Sequence, residues 1–494
     1  SSMNSKILQS FEKLAIEQPD NICVLDDVQQ RTRQQVMQQV EAVATELMEY
    51  QHQVIGLLAD NSVQWLIMDL AAQRAGIILL PLPLFFTPDQ LQHALQSAGA
   101  IGLIHDRPLM IDDEFLGESH FVKSLMLTFT ACRNISVIAL PPGTAKITFT
   151  SGSTADPKGV CLSNDNQYQV SQSLLSVLKM ENVRHLALLP LSTLLENIAG
   201  LYTPLLSGGE IILLGMEKTG FSGSLSGNIF QLLTTISHYQ PESLILVPEL
   251  LSALLIAAEQ GWQPPESLQF IAVGGSRVAS EMIERARQIG LPVYEGYGLS
   301  ECSSVVSLNT PVQDNPGTAG KVLPHVDIQI EKGEIMVSGN TFLGYIGTDL
   351  SHQNTVSTGD MGYLDQDGLL VIQGREKQLL ISSYGRNINP EWVESEVLAH
   401  PGILQCILFG DAKPYCTALI YTHLNDAALE NWLSHVNKKL PVYAQITKWQ
   451  RLEQPLTAKA GLLTANGRPK RDRIFTFFQH DLEAIYQESQ YGIF

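Results

Sequence analysis

The sequence predicts an α/β protein with three parts. A large N-terminal domain of mixed and parallel sheets layered with helices comes first. It carries a small β-rich subdomain, and a small mobile α+β C-terminal domain follows. Three observations predict this. Short apolar runs alternate with helical segments through most of the chain, the pattern of parallel strands covered on both faces. After about residue 316 the texture changes to short strands separated by turn residues. The 494 residues are enough for two or more domains and a sizeable core without disulfide staples.

Val54–Ala59 (VIGLLA) reads as a strand, with a helix near Ser62–Ala75 and a second strand at Gly76–Pro81 (GIILLP). Leu186–Pro190, Glu210–Leu214, Ser243–Pro248 and Phe270–Gly274 repeat the pattern, each close to a helical stretch. Ligands of such sheets bind outside the strand C-termini, where the strand order reverses. Val326–Ile330, Gly333–Val337, Tyr363–Leu364 and Leu369–Gln373 read as antiparallel strands. A boundary falls near Gly374–Lys377, which divides the chain into 1–374, a hinge at 375–378, and 379–494. The last part has strand candidates at Leu404–Phe409 and Thr417–Tyr421 and a helix near Asp426–Lys438.

Charge and cysteine usage exclude several classes. Lys and Arg total 31 against 50 Asp and Glu, a net charge of −19. A field of that sign disfavours nucleic acid and anionic membrane as general partners, though a local basic pocket can still hold a phosphate. Cys23, Cys132, Cys161, Cys302, Cys406 and Cys416 form no CxxC pair, so reduced, mostly buried thiols and a cytoplasmic setting are expected. Ser1–Asn4 reads as a tag remnant before a start at Met3, with no signal peptide following. The most apolar uncharged run, Ala75–Pro88, holds three prolines. It falls short of the roughly 18–20 residues of a spanning helix, so no transmembrane segment is expected.

One string stands out for its chemistry. Thr148–Val160 reads T-F-T-S-G-S-T-A-D-P-K-G-V. A strand candidate, Lys146–Phe149, runs into Thr150, Ser151, Gly152, Ser153 and Thr154, whose backbone N–H groups and hydroxyls suit an anion. Lys158 adds a point charge for phosphate. The spacing differs from G-x-x-x-x-G-K-[ST], since Lys158 comes six residues after Gly152 and precedes Gly159. Further on, Tyr294–Glu301 reads Y-E-G-Y-G-L-S-E. Within it, Gly296 and Tyr297 offer a close turn and a ring for a base to stack on. Ser300 offers a hydroxyl for phosphate and Glu301 a hard oxygen for Mg²⁺. In Ser357-Thr358-Gly359-Asp360 the aspartate can accept from two vicinal hydroxyls. Gly374–Pro390 reads G-R-E-K-Q-L-L-I-S-S-Y-G-R-N-I-N-P, and Gly461–Arg473 reads G-L-L-T-A-N-G-R-P-K-R-D-R.

These five strings, in this order, resemble those of the adenylate-forming superfamily, which includes acyl-CoA synthetases, peptide-synthetase adenylation domains and firefly luciferase. The resemblance covers roughly residues 20–475. Ala155 replaces the usual Gly of the phosphate loop. The resemblance implies that Asp360 holds the ribose hydroxyls and that Arg375 reaches ribose or phosphate oxygens. It makes Lys377 the hinge position and places Gly385 on the loop lining the thiol tunnel. Aligned on Asn466-Gly467, the family's terminal lysine column holds Arg468, and Lys470 follows two residues later. Either serves as the adenylation cation, with Lys470 preferred.

The implied reaction is attack of a carboxylate on the α-phosphate of ATP, with Mg²⁺ and Lys158 offsetting charge. Transfer of the acyl group to CoA follows. An acyl carrier protein is the alternative acceptor. Leu188–Gly200 (LLPLSTLLENIAG) resembles the long-chain acyl-CoA synthetase string P-L-x-x-x-x-E. Thr193, Gly274 and Gly275 are the implied acyl-pocket residues. A medium- or long-chain fatty acid is the preferred substrate and an aryl acid the alternative. Ala155 and the displaced lysine leave a second class open, a non-catalytic adenylate-binding scaffold.

Overall fold

Val54–Leu58, Gly102–His105 and Ser243–Leu246 bury every residue. Strands with no solvated face belong in the middle of sheets covered on both sides. A computed structural model, which describes residues 5–149, 158–221, 229–347, 354–464 and 467–491, places all three there.

The first sheet runs, edge to edge, Lys321–Val322, Ser304–Leu308, Val293–Leu299, Phe270–Val273, Ser243–Leu246, Arg184–Ala187, Glu210–Leu213, Ile22–Leu25 and Gln30–Thr32. The middle six, from Val293–Leu299 to Ile22–Leu25, are parallel. Strand order reverses at Arg184–Ala187. The next strand, Glu210–Leu213, lies on one side, and Ser243–Leu246 and its successors lie on the other. Ligands of open α/β sheets bind beyond the strand C-termini at such a reversal.

The second sheet has a parallel centre of Lys146–Phe149, Ile78–Pro81, Val54–Leu58 and Gly102–His105. Val24, Ala187 and Ile211 from one sheet share a core with Leu57, Ile104 and Val160 from the other. Between them the helix Val63–Ala75 buries nearly all its side chains, as a helix apolar on every face must. The Ser62 hydroxyl caps it by accepting from the Trp65 N–H at 3.1 Å, and Gly76 ends it at φ 70°.

Val326–Glu331, Glu334–Gly339, Thr355–Leu364 and Leu370–Arg375 form the expected antiparallel sheet. The C-terminal part has its own sheet of Ile403–Phe409, Cys416–Thr422 and Ile446–Arg451. Helices Pro390–Leu398 and Asp426–Asn437 cover it around a separate core of Val393, Val397, Ala418, Leu429 and Leu433. The predicted fold class therefore holds.

Two details differ. Tyr363–Leu364 is the end of a ten-residue strand, because its alternating burial is interrupted by polar positions. The hairpin Leu116–Val122 with Leu127–Cys132 was not foreseen, since its outer strand exposes most of its residues and shows no apolar run. All six cysteines are free thiols, and five are buried. Burial pushes Cys23 and Cys132 up to about 12, which leaves those thiols protonated and unreactive. Among the described residues no helix is long and apolar enough to cross a membrane.

Candidate active site

Several of the expected site residues are brought into contact from remote parts of the chain. Thr150, Ser151, Gly152, Ser153 and Thr154 lie outside the described residues. Their flanks are placed: Phe149 pairs with Gly159, so the two ends of that segment are held side by side. Lys158 is exposed, and its ammonium stands 5.1 Å from the centroid of the Tyr345 ring.

Tyr297, Asp360 and Arg375 come together. The Tyr297 hydroxyl donates to Asp360 Oδ2, and Arg375 Nη1 donates to Oδ1 at 3.3 Å. Strand register puts Asp360 opposite Arg375, so the pair is built into the antiparallel sheet. Burial raises the Asp360 carboxyl, and the Tyr297 hydroxyl and Arg375 pull it back. Burial also pushes the Tyr297 phenol well above its ordinary value, and the Asp360 carboxylate adds to this. Each carboxylate oxygen keeps a further lone pair for a ligand hydroxyl.

Gly296 sits where a Cβ would press on Leu308 Cδ1 and Ser307 O at 2.9 Å, so only glycine lets these strands approach. Ser300 opens the 3₁₀ turn Ser300–Cys302, and Glu301 Oε2 accepts from the Tyr345 hydroxyl at 3.1 Å. Just beyond, Ser303 and Ser304 hold φ values of 59° and 94°. Non-glycine residues at positive φ carry strain that tends to collect at functional sites.

Of the residues expected to line an acyl pocket, Gly274 and Gly275 directly follow the strand Phe270–Val273. Thr193 is exposed at the start of the short helix Leu194–Asn197. A Cβ on Gly274 would touch Leu195 Cδ2 at 3.4 Å. One on Gly275 would stand 3.5 Å from Val247 Cγ1 and 3.7 Å from Arg468 Nη2. Thus Leu195, Val247, Gly274 and Gly275 converge, and a cation from the C-terminal part meets them.

That cation is Arg468, the second of the two expected candidates. The Arg468 guanidinium donates to the Gly275 carbonyl across the domain interface. Lys470 stands at the N-cap position of the helix Arg471–Phe477, and its backbone N–H donates to Leu462 O at 2.9 Å. Arg471 is committed elsewhere, donating through both terminal nitrogens to buried Glu394. A two-residue offset on this irregular stretch separates Arg468, which crosses to the larger domain, from Lys470, which stays at the helix start.

Lys377 is exposed in the 3₁₀ turn Glu376–Gln378. Gly385 turns at φ 78° with open space around it. The two domains also meet where Lys439 donates to Glu281 and Arg285 Nη1 donates to Ala399 O at 2.7 Å.

Residues not foreseen include Tyr345 and Glu295. Glu295 precedes the G-Y-G string, and its Oε2 accepts from the Val278 N–H at 2.8 Å. Burial pushes its carboxyl up to about 7 from an ordinary 4.5, against the opposing pull of Val278 N–H and Arg277. Between those values the folded protein holds a proton that the unfolded chain has lost, so stability falls as pH rises through that window. Glu295→Gln cannot ionise, and its oxygen can still accept from Val278. We expect it to melt above the parent at pH 8 and not at pH 4, as read by thermal denaturation.

A strand-order reversal, a carboxylate–tyrosine–arginine cluster and a cation from a small appended domain are together the features of a two-domain nucleotide-handling enzyme. Comparison with known proteins gives the family. The model of the AMP-binding enzyme family matches residues 11–346, and that of the AMP-binding enzyme C-terminal domain matches residues 377–490. The chain belongs to the AMP-binding enzyme family, within the adenylate-forming superfamily that its motifs resemble.

A curated relative, 2-succinylbenzoate–CoA ligase of Staphylococcus aureus, is 26% identical over 92% of this chain and 98% of its own length. Among solved structures, an anthranilate–CoA ligase with bound anthranoyl-AMP superposes with a TM-score of 0.80 at 18% identity, covering 96% of this chain and 97% of that one. The o-succinylbenzoate CoA synthetase of Bacillus subtilis, with ATP and a magnesium ion, gives a TM-score of 0.75 at 23% identity over 94% of this chain and 98% of that one.

Proposed function

We propose that the protein is an AMP-forming acid–thiol ligase that activates an aromatic carboxylic acid with ATP and passes the acyl group to CoA. The observation that carries this reading is the convergence of Arg468 on the Gly275 carbonyl, beside Leu195 and Val247. It joins a cation, apolar side chains and the Asp360–Arg375 pair at one place. A carboxylate oxygen attacks the α-phosphorus, the bond to the bridging oxygen breaks, and pyrophosphate leaves. Arg468 lies between the acid and the phosphate, where it offsets the charge of both. Asp360 and Tyr297 orient the nucleoside, and Lys158 faces the outer phosphates. Mg²⁺ supplies further charge neutralisation when bound with the nucleotide, and Glu301 would hold it. Mg²⁺ takes one or two carboxylates plus substrate phosphates, so a lone glutamate fits. The thiol of CoA then attacks the acyl carbon and AMP departs.

The fatty-acid preference gives way to the aryl alternative for a physical reason. It rested on the string ending in Glu196, and Glu196 is spent on the fold. That carboxylate is fully buried, accepts from the Leu188 and Leu189 N–H groups at 3.0 and 3.1 Å, and meets His185 Nε2 at 3.0 Å. It clamps the backbone, so the string reports architecture. The relatives named above act on aromatic acids. Two glycines beside Leu195 and Val247 suit a flat ring lying along the backbone. CoA is the acceptor in those relatives' names, and the carrier-protein alternative finds no support.

The hinge reading is part of the same proposal. A body of 1–374, a pivot at 375–378 and a mobile 379–494 would let the small domain withdraw Arg468 after adenylation and bring Gly385 towards the thiol path. Exposure of Lys377 and Gly385 supports it.

A panel of benzoates, anthranilate, succinylbenzoate and C8–C16 fatty acids with ATP, Mg²⁺ and CoA tests the reading by mass spectrometry. We expect CoA thioesters of one or more aryl acids. Thioesters of fatty acids alone would overturn the aryl assignment. Folded protein that forms no acyl adenylate with any acid would overturn the ligase reading.

A further inference from the structure

We propose that Tyr345 is a positioning residue that keeps Lys158 and Glu301 from pairing with each other and aims both at an incoming nucleotide. The inference rests on the ligase reading, in which Lys158 faces phosphate and Glu301 the nucleotide-bound Mg²⁺.

One side chain engages both charges. The Tyr345 hydroxyl donates to Glu301 Oε2 at 3.1 Å, and the ring face carries the Lys158 ammonium 5.1 Å from its centroid. The ring is fixed by its neighbours. Gly344 and Tyr345 pair antiparallel with Cys161 and Val160, on the strand that leaves the phosphate-loop segment. The Leu343 N–H donates to Cys161 O and the Ile346 N–H to Gly159 O, each at 2.9 Å. A Cβ on Gly159 would run into Ile346 Cδ1, so this strap lies flush against the strand. Phe342 packs edge-on to Tyr345 with centroids 4.8 Å apart, and its N–H donates to Glu301 O at 2.7 Å. Phe342–Ile346 thus ties the exit of the phosphate loop to the Glu301 turn.

The chemistry follows from charge. An ammonium and a carboxylate within reach of one another form a direct ion pair, which must break before phosphate and metal enter. An aromatic face holds a cation less tightly than a phosphate does, so it yields the lysine on binding. A phenol donates one hydrogen bond to one carboxylate oxygen and leaves the remaining lone pairs for a metal. Both groups are then preorganised, which lowers the cost of binding and of the charged transition state.

Calorimetric titration of the full chain with ATP plus Mg²⁺, with ATP plus chelator, and with AMP tests this. Tyr345→Phe keeps the ring and loses the hydroxyl. We expect it to weaken ATP binding in Mg²⁺ by roughly ten- to a hundredfold, the scale of one hydrogen bond to a charged group, and to leave metal-free ATP and AMP unchanged. Tyr345→Leu also removes the platform under Lys158, and metal-free ATP should then weaken too, with AMP again unchanged. Unchanged AMP binding is the control for folding. Tyr345→Phe binding Mg²⁺–ATP as well as the parent, or losing AMP along with it, overturns the proposal while the ligase reading stands. A folded parent with no affinity for ATP overturns both.

Discussion

Arg468→Ala is expected to lower acid-dependent ATP–pyrophosphate exchange by roughly 10²–10³-fold, the usual loss when one preorganised charge donor to a developing anion is removed. Lys470→Ala should cost far less. The asymmetry comes from geometry. Arg468 crosses the interface to the Gly275 carbonyl, whereas Lys470 sits at the start of the helix Arg471–Phe477. The neighbouring Arg471 is bound to Glu394 and holds that helix in place. Arg468→Lys should recover part of the activity, because a point charge replaces the fork but cannot bridge acid and phosphate with two parallel bonds. Transfer from supplied acyl adenylate to CoA should change only a few-fold in Arg468→Ala, since the proposed rotation withdraws this residue before the thiol arrives. A large loss in Lys470→Ala, with Arg468→Ala near the parent, would reverse the assignment.

The second large effect is on stability. Lys146→Ala should destabilise the protein by about 3–5 kcal/mol, the cost of leaving one member of a buried ion pair alone. Lys146 begins the strand that leads into the phosphate-loop segment, and it is fully enclosed. Its ammonium meets Asp69 Oδ1 at 2.8 Å and donates to Tyr202 Oη at 2.7 Å and to Asn197 Oδ1. Tyr202 in turn donates to Asp69 Oδ2 and accepts from Gln73 Nε2 at 3.1 Å. Asp69 Oδ1 has no hydrogen-bond partner beyond that ion pair among the described residues, so removing the lysine leaves a bare buried carboxylate oxygen. Burial pushes the ammonium towards deprotonation, and Asp69 opposes it. Lys146→Met with Asp69→Leu removes both charges and should recover much of the loss, because replacing a whole buried pair by apolar groups is often neutral. Urea denaturation of the two variants separates the cases. Equal destabilisation by single and double substitution would show that packing, not charge, is what Lys146 supplies.

The parallel strands were legible because each is a short run buried on both faces, and burial writes itself into composition. Val54–Leu58 and Ser243–Leu246 stand within a residue or two of where their apolar runs place them. The exposed strand Leu116–Val122 left no such mark, since most of its residues face solvent and show no apolar run. In the site, Asp360 and Arg375 were legible one by one. Their pairing was not, because it is a consequence of strand register. Glu196 looked like a substrate signal for the same reason: a sequence string does not say whether a carboxylate faces a ligand or its own backbone.

Tyr345 shows the limit most plainly. It lies 44 residues from Glu301, and nothing about a Gly-Tyr pair in isolation separates it from an ordinary edge strand.

By itself the sequence determined the family, the two-domain α/β plan and the residue types available to the site. Each of these is written in local order, as apolar periodicity or as a contiguous string. Only the tertiary structure decided which cation crosses to the pocket, that Glu196 belongs to the core, and that Tyr345 stands between Lys158 and Glu301. These depend on distances between residues remote in the chain, and such distances are set by packing and strand register, not by spacing along the backbone.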